Sequence, residues 1–329
     1  MLKFFKHSYI SQHVVIVIMT IVLWLPAFIT KSAFIVGDDN TPLYNAVISL
    51  FDFSPFIINT IAFVVYLISV FLFNSVLSAN RLVNKYYTVG ALTFALMMCS
   101  SPDLHLCYPF IFACPFILMA MHTLFLIHQT ENPENYMMNI GYFIAIASLF
   151  YYPSIFLMLW VLISFVILGF RELRYLLIPL TAFMIINAIV IGITYLSGDI
   201  NGLIGSYSLF FKDISFSFNT TLGNKIFFMI SLILFLISLA GILGNRNSDN
   251  GTNFRKRIGV GIVLTILSLF IFFINQPVMG NILIYMMFAF FYAIMLSNVR
   301  KSMMANIAII LMLLIILTNQ YLPLFGITI

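Results

Sequence analysis

Long unbroken apolar blocks separated by short polar punctuation make up most of this chain. The blocks Ile226 to Leu243 and Ile307 to Leu317 contain no charged residue, and neither alternates with the period of two that marks an outer-membrane barrel strand. Reading such windows predicts an all-α, polytopic transmembrane protein of about 11 spans. Their limits are Val14–Val36, Phe56–Leu77, Tyr86–Ser100, Tyr108–Ile127, Ile140–Tyr151, Ser154–Gly169, Tyr175–Leu196, Ile226–Leu243, Ile258–Ile274, Ile282–Ser297 and Met303–Tyr321. The first block follows Lys3 and Lys6 as a signal peptide would. It continues through Trp24, Pro26 and Phe34 without a small-x-small cleavage site, so we read it as a retained helix.

Composition strengthens this picture. The chain is 63% hydrophobic and 8% charged, where a soluble domain carries roughly 25% charged residues, and its mean hydropathy is +1.11. Residues 1–329 therefore read as a single transmembrane domain. The net charge of +5 requires no nucleic-acid partner, because the basic residues are accounted for by membrane topology. With the N-terminus inside and the C-terminus outside, Lys3, Lys6, Arg81, Lys85, Arg171, Arg174, Arg246, Arg255, Lys256, Arg257, Arg300 and Lys301 fall on the inner side. Only Lys31, Lys212 and Lys225 fall outside, which is the bias expected of cytoplasmic loops. Acidic residues divide the other way: Asp38, Asp39, Asp52, Asp103, Asp199 and Asp213 outside, with Glu131, Glu134, Glu172 and Asp249 inside. The expected location is a bacterial inner membrane.

Two windows are too short to cross. Ile140 to Tyr151 gives about 18 Å and Tyr86 to Ser100 about 22 Å at 1.5 Å per residue, against a hydrocarbon core of about 30 Å. If both start at the inner surface, the loops at 101–107 and 151–153 are recessed and line an outward-facing cavity. Backbone at that depth needs protein or water to satisfy it.

The candidate chemistry lies in these outer loops. Asp38 and Asp39 stand in Gly-Asp-Asp-Asn-Thr-Pro after the first span, and Asp103 and His105 in Ser-Pro-Asp-Leu-His-Leu between the third and fourth. The plain reading makes Asp38 and Asp39 a solvated approach to a helix near Pro42, with Asn40 or Thr41 as its N-cap. The functional reading makes one carboxylate a general base, or a ligand with Asp103 and His105 for a divalent cation such as magnesium or manganese. No spacing here is diagnostic of a metal. Lys31 is placed to snorkel to the surface or, like Lys212 and Lys225, to hold a lipid phosphate. His122 and His128, off a shared helix face, read as interfacial. Cys99 and Cys107 flank one loop, and we expect buried thiols there rather than a disulfide. Asn219-Thr220-Thr221 matches a glycosylation sequon with nothing else to support its use. No Walker loop, dinucleotide fingerprint, Ser-His-Asp set or Cys/His zinc pattern occurs, so energy for an extracytoplasmic reaction would have to arrive already activated on the substrate.

The placement of these acidic loops resembles the GT-C superfamily of polytopic glycosyltransferases, which use polyprenyl-phosphate-linked sugars. Asp38 and Asp39 match the acidic motif of the first outer loop, the segment from Pro42 to Phe53 its juxtamembrane helix, and Asp103 with His105 the second motif. The resemblance covers residues 14–169 as a core, with 175–329 as additional spans that include the long outer segment 197–225. The chain lacks a soluble C-terminal domain and carries Asp-Asp where Asp-Glu is commoner. What the resemblance implies is inverting sugar transfer: Asp38 or Asp39 acting on the acceptor, Asp103 and His105 positioning a cation or the donor phosphate, and Lys31, Lys212 or Lys225 neutralising the leaving phosphate. The chain is also similar to bacterial inner-membrane proteins without an assigned activity. Two other readings stay open. A non-catalytic subunit would use the outer acids to meet a membrane-protein partner, and a lipid or solute transporter would need charges mid-span, where the windows, apart from Lys31, carry essentially none.

Overall fold

The computed structural model describes residues 1–7, 9–29, 41–50, 55–100, 108–127, 130, 132–197, 222–244, 251–274, 277–299 and 302–322. Their architecture is all-helical, with 89% of residues in helix and no strand among those described. In chain order the helices are α1 (Leu2–Phe5), α2 (Ile10–Ile29), α3 (Pro42–Leu50), α4 (Pro55–Ala79), α5 (Val89–Met98), α6 (Pro109–Leu126) and α7 (Pro133–Phe150). A 3₁₀ turn, Tyr152–Phe156, leads into α8 (Leu157–Leu168), followed by α9 (Leu173–Leu196), α10 (Leu222–Gly244), α11 (Thr252–Ile274), α12 (Pro277–Asn298) and α13 (Ser302–Tyr321). Six helical segments among the described residues are long and apolar enough to cross a membrane: Ile10–Ile29, Phe56–Ala79, Pro109–Leu126, Leu173–Leu196, Leu222–Gly244 and Met303–Tyr321. The chain is a multi-pass membrane protein.

Burial, which hydropathy cannot read in a membrane protein, separates the centre from the rim. Every residue of α5 is buried, as is every residue of α12 from Ile282 to Ile294. These two helices lie against each other and are enclosed by α4, α10 and α11. The 24-residue α9 is the opposite case: 11% of its most apolar window is buried, and Leu177, Met184, Ile185, Ile189 and Ile193 are exposed, the surface expected to meet lipid tails.

The two short windows resolve differently. The segment expected as Tyr86–Ser100 is the ten-residue α5, about 15 Å long. The segment expected as Ile140–Tyr151 is the 18-residue α7, about 27 Å, and is not short. Its polar opening, which reads as loop, is its first two turns: Pro133 stands at the first helical position and Glu134 in the first turn, both N-terminal helix signals. Glu134 Oε1 accepts from Arg174 Nη2 at 2.7 Å, so α7 and α9 begin at the same end of the bundle and run parallel.

The α7–α9 contact depends on a residue without a side chain. A Cβ at Gly141 would stand 2.8 Å from the Ala182 Cβ and 2.9 Å from the Pro179 Cα, and would overlap the Pro179 carbonyl oxygen. Small residues bring membrane helices together in this way. Gly141→Ala is expected to lower stability by about 1–3 kcal/mol through overpacking. Gly192→Ala, on α9 where nothing lies within 4 Å, should not lower it, since alanine is the better helix former. Thermal unfolding of the purified variants in detergent checks the pair.

Candidate functional site

Of the residues singled out in the sequence, Lys31, Asp38, Asp39, Asp103, His105 and Lys212 lie outside the described residues, as does Cys107. Lys225 is exposed in the first turn of α10. What the structure does describe is the frame on which both acidic loops hang. Thr41, two residues after Asp39, accepts the first helical bond of α3 from the Asn45 N–H at 3.0 Å, with Pro42 as the first helical residue. The Thr41 hydroxyl donates at 2.9 Å to the carbonyl of Phe150, supplying a partner for an oxygen that the end of α7 leaves open. From α3 the buried Tyr44 ring meets Phe112 of α6 with centroids 6.1 Å apart, and Phe112 stacks on Phe150 at 5.8 Å. The chain entering α6, which follows Asp103 and His105, is therefore packed beside the chain leaving Asp38 and Asp39.

The other flank of the second loop is tied by uncharged amides. Cys99 and Ser100 close α5 and are buried. Gln320 Nε2 donates to the Cys99 carbonyl at 2.6 Å, and Asn319 Nδ2 to the Ser100 carbonyl at 3.2 Å and to Asn224 Oδ1 at 2.6 Å. Tyr66 donates to the Ala95 carbonyl at 3.1 Å and shares a hydrogen bond with the Cys99 thiol at 3.2 Å. Cys99 and Cys114 are both free. Carbonyls that water cannot reach are thus satisfied from α13 and α4.

The opposite end of the bundle carries the charge. Among the described residues, Lys3, Lys6, Arg81, Lys85, Arg171, Arg174, Arg255, Lys256 and Arg257 lie there, and Lys225 is the one Lys or Arg at the end with Thr41 and Ser100. Helices α4, α6, α8 and α12 all finish at this basic end, and cations from elsewhere meet their last carbonyls. Arg257, 6% exposed, donates through Nη1 to Asn80 O at 2.5 Å and through Nη2 to Phe125 O at 3.2 Å. Lys256 reaches Leu168 O at 2.9 Å. Lys6 reaches Ser297 O at 3.0 Å and Val299 O at 2.8 Å, and burial lowers its pKa from the ordinary lysine value. Positive charge at the negative end of a helix dipole is the favourable arrangement. Asn80, fully buried, also donates to Val76 O at 2.8 Å and to His122 Nδ1 at 3.1 Å, so His122 joins this polar cluster instead of standing free at the interface.

The sequence reading missed this cluster because Arg255, Lys256 and Arg257 served there only to orient the chain. A signal was present: three successive cations at a helix start point in different directions around the axis and cannot all face solvent. Among the described residues no group of three or more His, Cys, Asp or Glu side chains could hold a metal ion. No protein-family model, curated protein or solved structure matches this chain.

The Arg257 fork joins the ends of α4 and α6, and a single ammonium cannot reproduce two separated bonds. Arg257→Lys is expected to lower unfolding stability by about 2 kcal/mol, the loss of one charge-assisted hydrogen bond to a buried carbonyl. Arg171→Lys, an exposed neighbour, should show no change in the same thermal measurement.

Proposed function

We propose that the protein is a GT-C-type glycosyltransferase of a bacterial inner membrane, moving a sugar from a polyprenyl-phosphate donor to an extracytoplasmic acceptor. The observation that carries this reading is the joint packing of Thr41 and Tyr44 with Phe112 and Phe150. Asp39 is tethered to Thr41 by two residues, at most about 7 Å of chain, and His105 to Tyr108 by three, at most about 11 Å. Two acidic loops rooted this closely are able to serve one site.

In the proposed arrangement the chain makes about 11 passes with its N-terminus inside. The ten-residue α5 holds the second loop below the outer surface, making the floor of an outward-facing cavity. Asp38 or Asp39 takes the proton of the acceptor hydroxyl as its oxygen bonds to the anomeric carbon. The bond from that carbon to the phosphate oxygen breaks, and the lipid phosphate leaves with the electron pair. Lys31, Lys212 and Lys225 neutralise that charge, and Asp103 and His105 position the donor phosphate, directly or through a divalent cation.

Asp38→Asn combined with Asp39→Asn should abolish sugar transfer from a polyprenyl-phosphate sugar by the purified protein, measured as radiolabelled product. Retention of full transfer by the double variant sinks the proposal. Chelation of divalent ions, followed by magnesium or manganese addition, separates the direct from the cation-mediated role of Asp103 and His105.

A further inference from the structure

The basic end contains a cleft of about 740 Å³ that the proposed transfer reaction does not use. It opens between the turn closing α4, the first turn of α11 and the last turn of α12, and Arg81, Lys85, Tyr87, Phe254, Ser297 and Asn298 are among its lining residues. We propose that this cleft binds a phosphate group, the chemistry shared by an anionic phospholipid headgroup and a soluble phosphate compound.

The backbone beneath Arg81 supports a role beyond closing the helix. Helix α8 ends in a Schellman motif: Phe170 N–H donates to Phe165 O at 2.9 Å, with Gly169 in the left-handed conformation at φ 106°. Helix α4 ends in the same motif, Leu82 N–H to Leu77 O at 3.0 Å and Arg81 N–H to Ser78 O at 3.1 Å. Here the left-handed residue is Arg81, at φ 54°, a conformation that costs a residue with a Cβ more than it costs glycine. The strained position holds a guanidinium at the mouth of the cleft.

Charge balance points the same way. The carbonyls at this end are already taken by Lys6, Lys256 and Arg257. Among the described residues, Arg81 and Lys85 make no ion pair and no side-chain hydrogen bond, and the one ion pair, Glu134–Arg174, belongs to α7 and α9. Lys6 sits 5.7 Å from the Tyr87 ring centroid, adding a third cation behind the lining. An arginine fork beside a lysine, with the Asn298 amide in the same wall, supplies the donors that a phosphate takes. The half-buried apolar ring of Phe254 in the lining and the position at helix ends suit a headgroup whose acyl chains run along the bundle.

The test uses the purified full chain in neutral detergent, titrated separately with dioleoylphosphatidylglycerol, dioleoylphosphatidylcholine and inorganic phosphate, and reads the midpoint of thermal unfolding. The expected result is a saturable rise with phosphatidylglycerol and none with phosphatidylcholine. Arg81→Gly, which suits the left-handed turn and so preserves the fold, and Lys85→Gln should each weaken binding about tenfold. Arg171→Gln, an exposed cation of the same end outside the cleft, should not. Phosphate that competes with the lipid only at high concentration identifies a headgroup site; phosphate that saturates alone with the same variant sensitivity identifies a soluble ligand. No saturable shift with either probe, or equal weakening by Arg171→Gln, overturns the proposal. None of these outcomes depends on sugar transfer, so the cleft and the transferase reading stand or fall separately.

Discussion

Helix C-termini that end together in a low-dielectric setting leave a ring of unpaired carbonyls, and that constraint organises this molecule. Each such oxygen is costly without a donor, and repeated helix ends add their dipoles. At the basic end α4, α6, α8 and α12 meet, and three cations drawn from α11 and from the turn after α1 bind their last carbonyls. Because each cation comes from a distant part of the sequence, the caps also fix which helices are neighbours. Lys6 ties the N-terminus to α12 across 291 residues, and Arg257 ties α11 to α4 across 177. The same bonds that neutralise the helix ends therefore set the arrangement around the buried pair α5 and α12.

The far end solves the same problem without charge. Gln320, Asn319 and the Thr41 hydroxyl supply the donors to Cys99, Ser100 and Phe150. Neutral amides suffice there because the carbonyls are fewer per site and enclosed, and an ammonium would carry a larger desolvation penalty with no solvent beside it. The consequence is that, among the described residues, this end carries one Lys or Arg, Lys225, and the basic end the other nine.

Sequence pattern was a good guide to helicity and to charge segregation and a poor guide to helix length and burial. Among the described residues, Lys3, Lys6, Arg81, Lys85, Arg171, Arg174, Arg255, Lys256 and Arg257, expected together, do share one end. The short third window contracted further to α5 because Tyr86 and Tyr87 belong to the turn after Arg81, and that turn is closed by hydrogen bonds no hydropathy window registers. The fifth window lengthened to α7 because Asn, Glu and Tyr in a first helical turn lower hydropathy without breaking the helix. Burial was illegible for a physical reason: lipid tails and protein interior are both apolar, so α5, fully enclosed, and α9, mostly exposed, have equally hydrophobic sequences. Arg257 was legible as a charge and not as a tether, since only tertiary structure shows that two helix ends wait for its fork.

Helix α5 is the element that relates the two ends. Its first residue follows Thr88, whose N–H donates to Phe5 O at 2.9 Å in the basic cluster, and its last precedes the carbonyls held by Gln320 and Asn319. Ten buried residues, about 15 Å of helix, thus separate cationic from amide-lined chemistry. Charges at that distance through protein interact weakly once solvent and counter-ions reach each end, because the Debye length is about 8 Å at physiological ionic strength. Coupling between the ends would instead have to be mechanical, through a rod gripped along its length by α4 and α12. A rod so enclosed has no room to slide without repacking the core, so the fold holds the two ends at a fixed separation and leaves each to its own chemistry.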